Sequence, residues 1–190
     1  MSTSRFTKLS VAIIFAAAVA GCTVVDQVKT DLSLSSAHRA FDSKNYSAAV
    51  DYYRQAAESG SGEGAYWLSD LYLDGKGVKK DIPTGVKWMQ TASERNYLPA
   101  DLSIGLWTIG GSNGIRKDAT KGAQLILKAA QAGEPTSMVT MGYLYMKGTG
   151  VKRNAAQALE WFQKANAAGA VVTPDLLTLR GVERKMGVKR

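Results

Sequence analysis

The chain has 190 residues, of which 45% are hydrophobic, enough for one domain with a buried core. It carries a formal net charge of +8 and a single cysteine, Cys22. A single cysteine excludes an intrachain disulfide, so we expect the fold to depend on its hydrophobic core or on partners.

The first 21 residues have the pattern of an export signal. Arg5 and Lys8 form a short positive region, and an apolar run from Leu9 to Ala20 follows it. The run is too short to cross a bilayer as a mature helix. We therefore interpret residues 1–21 as a signal peptide that is removed. A retained membrane helix is the alternative.

The end of this signal, Val19-Ala20-Gly21-Cys22, resembles the lipobox of bacterial lipoproteins. That resemblance implies cleavage before Cys22 and attachment of lipid, including palmitate, to this residue. Thr23 follows, where an Asp commonly means retention at the inner membrane. The resemblance therefore implies a lipid-anchored protein of the outer membrane that faces the periplasm. The alternative is a plain secretory signal with a chance cysteine.

The charge of the mature chain restricts its partners. The signal holds two cations and no acid, so the remaining residues carry 22 basic and 16 acidic side chains, a net charge of +6. An exported protein does not meet cytosolic nucleic acid, and we expect no nucleic-acid partner. The charge favours anionic lipid, an anionic polymer or an acidic protein.

Residues 22–30 are predicted to form a lipidated tether, in which residues 23–30 either extend the first helix or lie loose. A helix is expected from about residue 31 to 43. Beyond it, one pattern recurs at separations of 36, 37 and 36 residues. Each copy begins with a residue suited to cap a helix, and these are Asn45, Asp81, Asp118 and Asn154. A small residue follows four positions later, a large apolar residue at seven, Ala at eleven, and Gly or Asn at fifteen. This spacing predicts repeated amphipathic helices with left-handed C-caps.

Three of these helices follow another helix that ends in a glycine loop. The loops read Gly75-Lys-Gly77-Val78, Gly110-Gly111-Ser-Asn-Gly114-Ile115 and Gly148-Thr-Gly150-Val151. The middle loop is one residue longer, which explains the separation of 37. Paired loop glycines predict positive φ angles at the turn.

The motif Gly-x-Gly-Val-x-x-Asp/Asn, followed by Trp and Ala-Ala at fixed offsets, resembles the Sel-one-like repeat, a relative of the tetratricopeptide repeat. Three copies span about 62–97, 98–134 and 135–170, and residues 31–61 resemble a tetratricopeptide-like hairpin. The resemblance implies an all-α, right-handed α–α superhelix of about four helical hairpins. Residues 171–190 are expected to supply a capping helix and a basic tail. The middle copy has Thr108 and Leu125 where other copies have Tyr and Trp, and we expect it to pack less firmly.

By the same resemblance, the concave face is lined by the first helix of each repeat. The residues assigned to it, here called the groove set, are Tyr66, Asp70, Leu73, Leu102, Leu106, Ile109, Val139, Tyr143 and Met146. This set is largely apolar, which suits a helix or an extended segment of another protein. The alternative is that several of these residues pack on neighbouring helices.

A second candidate surface consists of three pairs of cations, one on each glycine loop. These six residues, here called the basic ridge, are Lys79, Lys80, Arg116, Lys117, Lys152 and Arg153. Stacked repeats place equivalent loops on one edge, so the ridge could contact anionic headgroups or an acidic partner. The alternative is a solvated edge.

Catalytic groups are poorly represented. The only histidine, His38, has no second histidine or cysteine beside it to form a metal site or a catalytic triad. We expect no enzyme activity, no metal and no cofactor. The expected function is protein–protein interaction, as an adaptor or assembly factor in a cell-envelope complex for secretion or polymer export. The alternatives are an immunity lipoprotein that neutralises an effector such as a phospholipase, and an envelope hydrolase.

Overall fold

The computed structural model describes residues 27–188, and within that range the chain consists of helices and loops without a β-strand. Helix α1 covers residues 27–42. The others are α2 (Tyr46–Glu58), α3 (Gly62–Asp74), α4 (Ile82–Glu94), α5 (Leu98–Gly110), α6 (Ala119–Gln131), α7 (Pro135–Lys147), α8 (Ala155–Ala167), a 3₁₀ helix (Pro174–Leu177) and α9 (Leu179–Lys185). Each helix packs on the next along the chain. The predicted superhelix of four helical hairpins and a terminal cap is confirmed.

The second helix of every hairpin begins at the residue that the repeat pattern assigns to its N-cap. A side-chain oxygen of Asn45, Asp81, Asp118 and Asn154 accepts a hydrogen bond from the backbone N–H three residues later, at distances of 2.9–3.3 Å. Each bond satisfies an N–H that has no partner within its own helix. The predicted caps are therefore confirmed at all four positions.

The same helices end where the pattern places Gly or Asn. Gly60, Asn96, Gly133 and Gly169 all have positive φ, from 60° to 102°. A residue in this left-handed region turns the chain out of the helix and towards the next one. The sequence therefore determines both ends of each second helix.

Small residues in the first helices allow the two helices of a hairpin to approach closely. A Cβ at Gly142 would lie 2.5 Å from the Phe162 ring, and one at Gly105 would lie 2.5 Å from Ile126. The equivalent residue in α3 is Ser69, whose hydroxyl donates to the Gly85 carbonyl at 2.7 Å. These contacts hold the two helices of each hairpin close together.

The core forms three successive clusters rather than one centre. The first lies among α1–α5 around Tyr53 and Leu68, the second around Ile126 and Met141, and the third around Phe162. Among the junctions between successive hairpins, α4 against α5 is the least extensive. This is the junction at which the middle repeat begins. Within that repeat, α5 packs on α6 about as extensively as the paired helices of the other repeats pack on each other.

The two ends of the described chain add detail to the predicted boundaries. Residues 27–30 of the predicted tether are helical, which is the alternative in which this segment extends the first helix, and Thr30 is buried. The C-terminal cap is divided, because extended backbone at Thr178 separates the 3₁₀ helix from α9. Thr178 caps α9 by accepting a hydrogen bond from the N–H of Gly181 at 3.1 Å.

Candidate protein-binding surface

The nine residues of the groove set lie on the first helices α3, α5 and α7, and none of them is fully buried. Leu106 is 47% exposed and Tyr143 is 43% exposed, which places both among the most exposed large apolar side chains of the described residues. Leu106 and Tyr143 occupy equivalent positions of two successive repeats, and exposed apolar side chains of this kind are typical of protein-binding surfaces.

Three members of the groove set contact neighbouring helices: Leu73, Ile109 and Met146. A Cβ added at Gly85 of α4 would lie 2.7 Å from Leu73, and one at Gly122 of α6 would lie 2.7 Å from Ile109. Met146 packs in the third core cluster. These three side chains therefore support the second helices. This packing is the alternative that the sequence left open for several members of the groove set, and their contact with a partner stays a prediction.

The Tyr66 side chain also packs partly against the protein interior. Its ring centroid lies 5.6 Å from that of Trp67 and 5.2 Å from that of Tyr97. Burial raises the pKa of its hydroxyl, which also hydrogen-bonds with Ser103. Tyr66 thus stabilises the α3–α5 region and offers a smaller free surface than Tyr143.

Asp70 is the acidic member of the groove set. Burial, and then the nearby carboxylate of Asp74, raises the pKa of Asp70 to about 6. In the described part of the chain it forms no ion pair. Lys76 opposes this shift only in part, so the partly desolvated carboxyl gains free energy when a further positive group approaches it.

The C-terminal end of the surface differs from the rest because the cap packs beside it. Tyr143, Met146 and Met186 line a cavity of about 380 Å³, together with the cations Lys147, Arg153 and Lys185. The Arg153 guanidinium donates to the Met146 carbonyl at 3.0 Å and also to the Met186 carbonyl. Arg153 therefore attaches the cap to α7, a role that the sequence pattern did not indicate.

All six side chains of the basic ridge are exposed. They occupy the loops that join first to second helices in three successive hairpins. Among residues 27–188, no side chain of the basic ridge forms an ion pair. Arg153 donates instead to the two backbone carbonyls described above. The structure thus brings the ridge residues to equivalent positions, and their contact with an anionic surface stays a prediction.

The repeat pattern of the sequence and the arrangement of the helices agree with a match to a known protein family. The Sel1 repeat family model matches residues 40–61, 62–97, 103–134 and 135–169. This chain belongs to the Sel1 repeat family.

Similar proteins support the assignment. The Sel1 repeat chain is 33% identical over 119 residues to the chitin synthase regulator SKT5 of Saccharomyces cerevisiae, covering 62% of this chain and 17% of that protein. It is 25% identical over 145 residues to an exopolysaccharide production negative regulator of Rhizobium leguminosarum, covering 69% and 54%. It therefore spans only part of these relatives' lengths.

Solved structures show the same fold. The crystal structure of a Sel1 repeat protein from Oxalobacter formigenes superposes with a TM-score of 0.68 at 23% identity, covering 86% of this chain and 65% of that chain. At this identity the likeness concerns the fold alone.

The single histidine of the Sel1 repeat protein lies in an aromatic environment. The His38 ring is 5.5 Å from that of Tyr53 and 6.0 Å from that of Trp67, and its Nε2 is 3.4 Å from Glu63 Oε1. Residues 27–188 contain no cluster of His, Cys, Asp and Glu that could bind a metal ion. His38 has the packing contacts of a structural residue.

Two predictions concern the membrane. None of the helices among the described residues is both long and apolar enough to span a bilayer. The predicted lipid attachment site, Cys22, lies outside the described residues.

Proposed function

We propose that this Sel1 repeat protein is a lipid-tethered interaction adaptor at the periplasmic face of the outer membrane. It binds a helix or an extended segment of another envelope protein along α3, α5 and α7. The observation that carries this proposal is the exposure of Leu106 and Tyr143 on the first helices of successive repeats. Large apolar side chains at such positions serve as anchors for an apolar peptide face.

The chemistry of the surface also restricts the partner. Asp70 lies at the α3 end of the groove set, where burial and Asp74 oppose its ionisation. A partner with a Lys or Arg at that end would relieve this cost, because an opposite charge favours the ionised carboxylate. The proposed segment therefore carries apolar side chains towards α5 and α7 and a cation towards α3.

The relatives favour a regulatory role near polysaccharide synthesis or export. One matched relative is a chitin synthase regulator and another is a negative regulator of exopolysaccharide production. Both names describe control of polymer production rather than catalysis. We extend this to the present chain as a proposal, with a membrane-bound enzyme or exporter of an envelope polymer as its partner.

The test is site-specific photocrosslinking in the native envelope. A photoreactive amino acid replaces Leu106 or Tyr143, and crosslinked products are isolated and identified. The matched control places the same amino acid at Tyr52, which is 40% exposed on α2, outside the groove set. We expect one protein to crosslink from positions 106 and 143 and not from position 52.

A second arm measures binding to the identified partner. Leu106→Gln with Tyr143→Gln removes both anchors while keeping good helix formers, and should weaken binding at least 30-fold. The control variant, Tyr52→Gln with Leu179→Gln, removes similar exposed apolar area elsewhere and should bind normally. Equal loss in both variants, or crosslinks that are equally strong from position 52, would reject the groove as the binding site.

A further inference from the structure

A cavity of about 500 Å³ opens between α4, α5 and α6, beside the longest glycine loop. Its walls are Ile104 and Thr108 of α5, Ile115 of the loop and Leu125 of α6, and Arg116 and Lys121 lie at its edge. The volume is within the range of sites that bind small molecules or protruding side chains.

The other repeats show what normally fills this space. The backbone N–H of each N-cap donates to a carbonyl near the end of the preceding helix: Asp81 to Tyr72, Asp118 to Thr108, and Asn154 to Tyr145, at 2.7–3.0 Å. These bonds define Thr108 as the structural equivalent of the two tyrosines. Leu125 is likewise equivalent to Trp88 and Trp161, seven residues after the cap.

In the neighbouring junctions the tyrosines contact the preceding hairpin. Arg54 of α2 donates to the Tyr72 hydroxyl at 3.2 Å, and Tyr145 packs against the second core cluster, which contains Ile126 of α6. At the middle junction the equivalent residue is Gln90 of α4, which lines the cavity together with Thr108. Two aromatic rings are thus replaced by smaller side chains at the junction that contains this cavity.

The loop glycines give an independent observation. A Cβ at Gly77 would lie 2.3 Å from the Tyr46 carbonyl, and one at Gly150 would lie 2.0 Å from that of Ala119. In these repeats the loop is therefore pressed against the second helix of the preceding hairpin. Gly114 is the equivalent residue of the middle repeat, and nothing lies within 4 Å of its Cβ position. The middle loop stands away from α4 and leaves the cavity accessible.

The charges at the edge are suited to an anion. Arg116 and Lys121 are exposed, as is the adjacent Lys117. The one acid in the lining, Asp118, accepts the Lys121 N–H with its Oδ1 at 2.9 Å, and the two cations Arg116 and Lys121 outnumber it. The cavity therefore combines an aromatic-sized apolar space with cations at its entrance.

We propose that the middle cavity binds an aromatic side chain of a protein partner that carries a carboxylate next to it. The aromatic ring takes the space that Tyr and Trp occupy in the sister repeats, and the carboxylate contacts Arg116 and Lys121. This site is separate from the groove set, because Ile104 and Thr108 project from the side of α5 roughly opposite to Leu106. It goes beyond the proposed groove function and does not depend on it.

The probe is 4-hydroxyphenylacetate, which carries both chemical features. It is titrated into the full-length protein while the methyl resonances of Ile104, Ile115 and Leu125 are followed by NMR. We expect saturable shifts at these methyl groups with a Kd on the order of 1 mM, as for a small fragment. p-Cresol, which lacks the carboxylate, should bind several-fold more weakly, and the difference should decrease at high salt.

The decisive variant is Thr108→Tyr with Leu125→Trp, which introduces the residues that the other repeats have at these positions. It should weaken probe binding at least 10-fold and raise Tm by about 2–4 °C, because a cavity is filled. The groove variant Leu106→Gln with Tyr143→Gln should bind the probe normally. Each single substitution serves as a second test if the double variant does not fold, and Arg116→Glu with Lys121→Glu tests the charge. Undiminished binding by the filled variants, or shifts confined to other regions, would overturn the proposal.

Discussion

The carboxylate of Asp101 on α5 lies 3.0 Å from the Nζ of Lys128 on α6, although Asp101 is only 1% exposed. The other carboxylate oxygen accepts the hydroxyl of Ser93 on α4. One buried acid therefore joins three helices across the least extensive junction between hairpins. At this junction, polar contacts accompany the apolar contacts of the first core cluster.

Removal of this acid should destabilise the protein. Asp101→Ala leaves the Ser93 hydroxyl without its acceptor and creates a small void, so we expect a loss of about 2 kcal/mol in the free energy of unfolding. Lys128→Ala leaves a buried carboxylate without its cation and should cost about 1 kcal/mol, since Lys128 is itself 60% exposed. Urea unfolding of both variants and of the double variant measures the coupling.

The control pair is Lys164 with Glu160, 2.6 Å apart on α8 and half exposed on both sides. A pair four residues apart on a helix surface contributes about 0.3–0.5 kcal/mol. A coupling energy for Asp101 and Lys128 no larger than that of the control would contradict the bridging role.

The two kinds of loop glycine should respond differently to substitution. Gly150 and Gly114 have φ angles of 68° and 74°, so a change to Ala imposes similar backbone strain at both, about 1 kcal/mol. A Cβ at Gly150 also meets the Ala119 carbonyl, whereas one at Gly114 meets open space. We expect Gly150→Ala to cost at least about 2 kcal/mol more than Gly114→Ala in thermal or urea unfolding. Equal costs would show that the middle loop is packed like the others.

Stability should depend on pH through Asp70. Its folded pKa of about 6 lies above the value of about 3.9 for an unfolded chain, so the folded state binds this proton more tightly. The Asp70 contribution therefore favours folding at low pH and decreases as pH rises from about 4 to about 6. Asp70→Asn removes this dependence, and above pH 7 it should be more stable than the native protein by about 1 kcal/mol after solvent screening.

Urea midpoints between pH 4 and pH 8 measure this difference. Glu94→Gln, at an exposed position of α4, is the control and should give the native profile. A native and an Asp70→Asn profile that run parallel across this range would refute the assignment.

The lipid anchor is tested at Cys22. Labelled palmitate supplied to the native host should enter the protein, and Cys22→Ser should abolish that incorporation. With Thr23 in place, the lipidated chain should fractionate with the outer membrane, and Thr23→Asp should move it to the inner membrane. Labelling that persists in Cys22→Ser would exclude this residue as the attachment site.

Local interactions explain how far the sequence predicts this fold. The cap at Asn154 requires an acceptor side chain three residues before an N–H, and both partners are visible in one short stretch of sequence. The glycine at 142 and the large residue at 162 recur with the repeat, so their contact follows once the period is known. The smaller side-chain volume at Thr108 and Leu125 could be anticipated for the same reason, because the other repeats have Tyr and Trp at these positions.

Contacts between residues far apart in the sequence could not be predicted in this way. Leu73 and Leu106 are both apolar residues on first helices, yet Leu73 packs on α4 and Leu106 is 47% exposed. Arg153 matches a ridge position, but its guanidinium donates to Met186, 33 residues away, after the chain has turned. In the sequence Asp101 resembles a surface acid, but in the structure α4 and α6 enclose it. In each case the outcome depends on how neighbouring elements pack rather than on the local pattern.

The seven helices α2 to α8 are all 13 residues long. Because each hairpin contacts mainly its neighbours, every repeat adds the same step to the array. A partner lying along the first helices therefore meets equivalent positions at regular intervals, and the interval is set by the backbone rather than by the exposed side chains. Insertion or deletion of one whole repeat would change how long a segment the protein can hold, while the chemistry of the remaining contacts stayed the same.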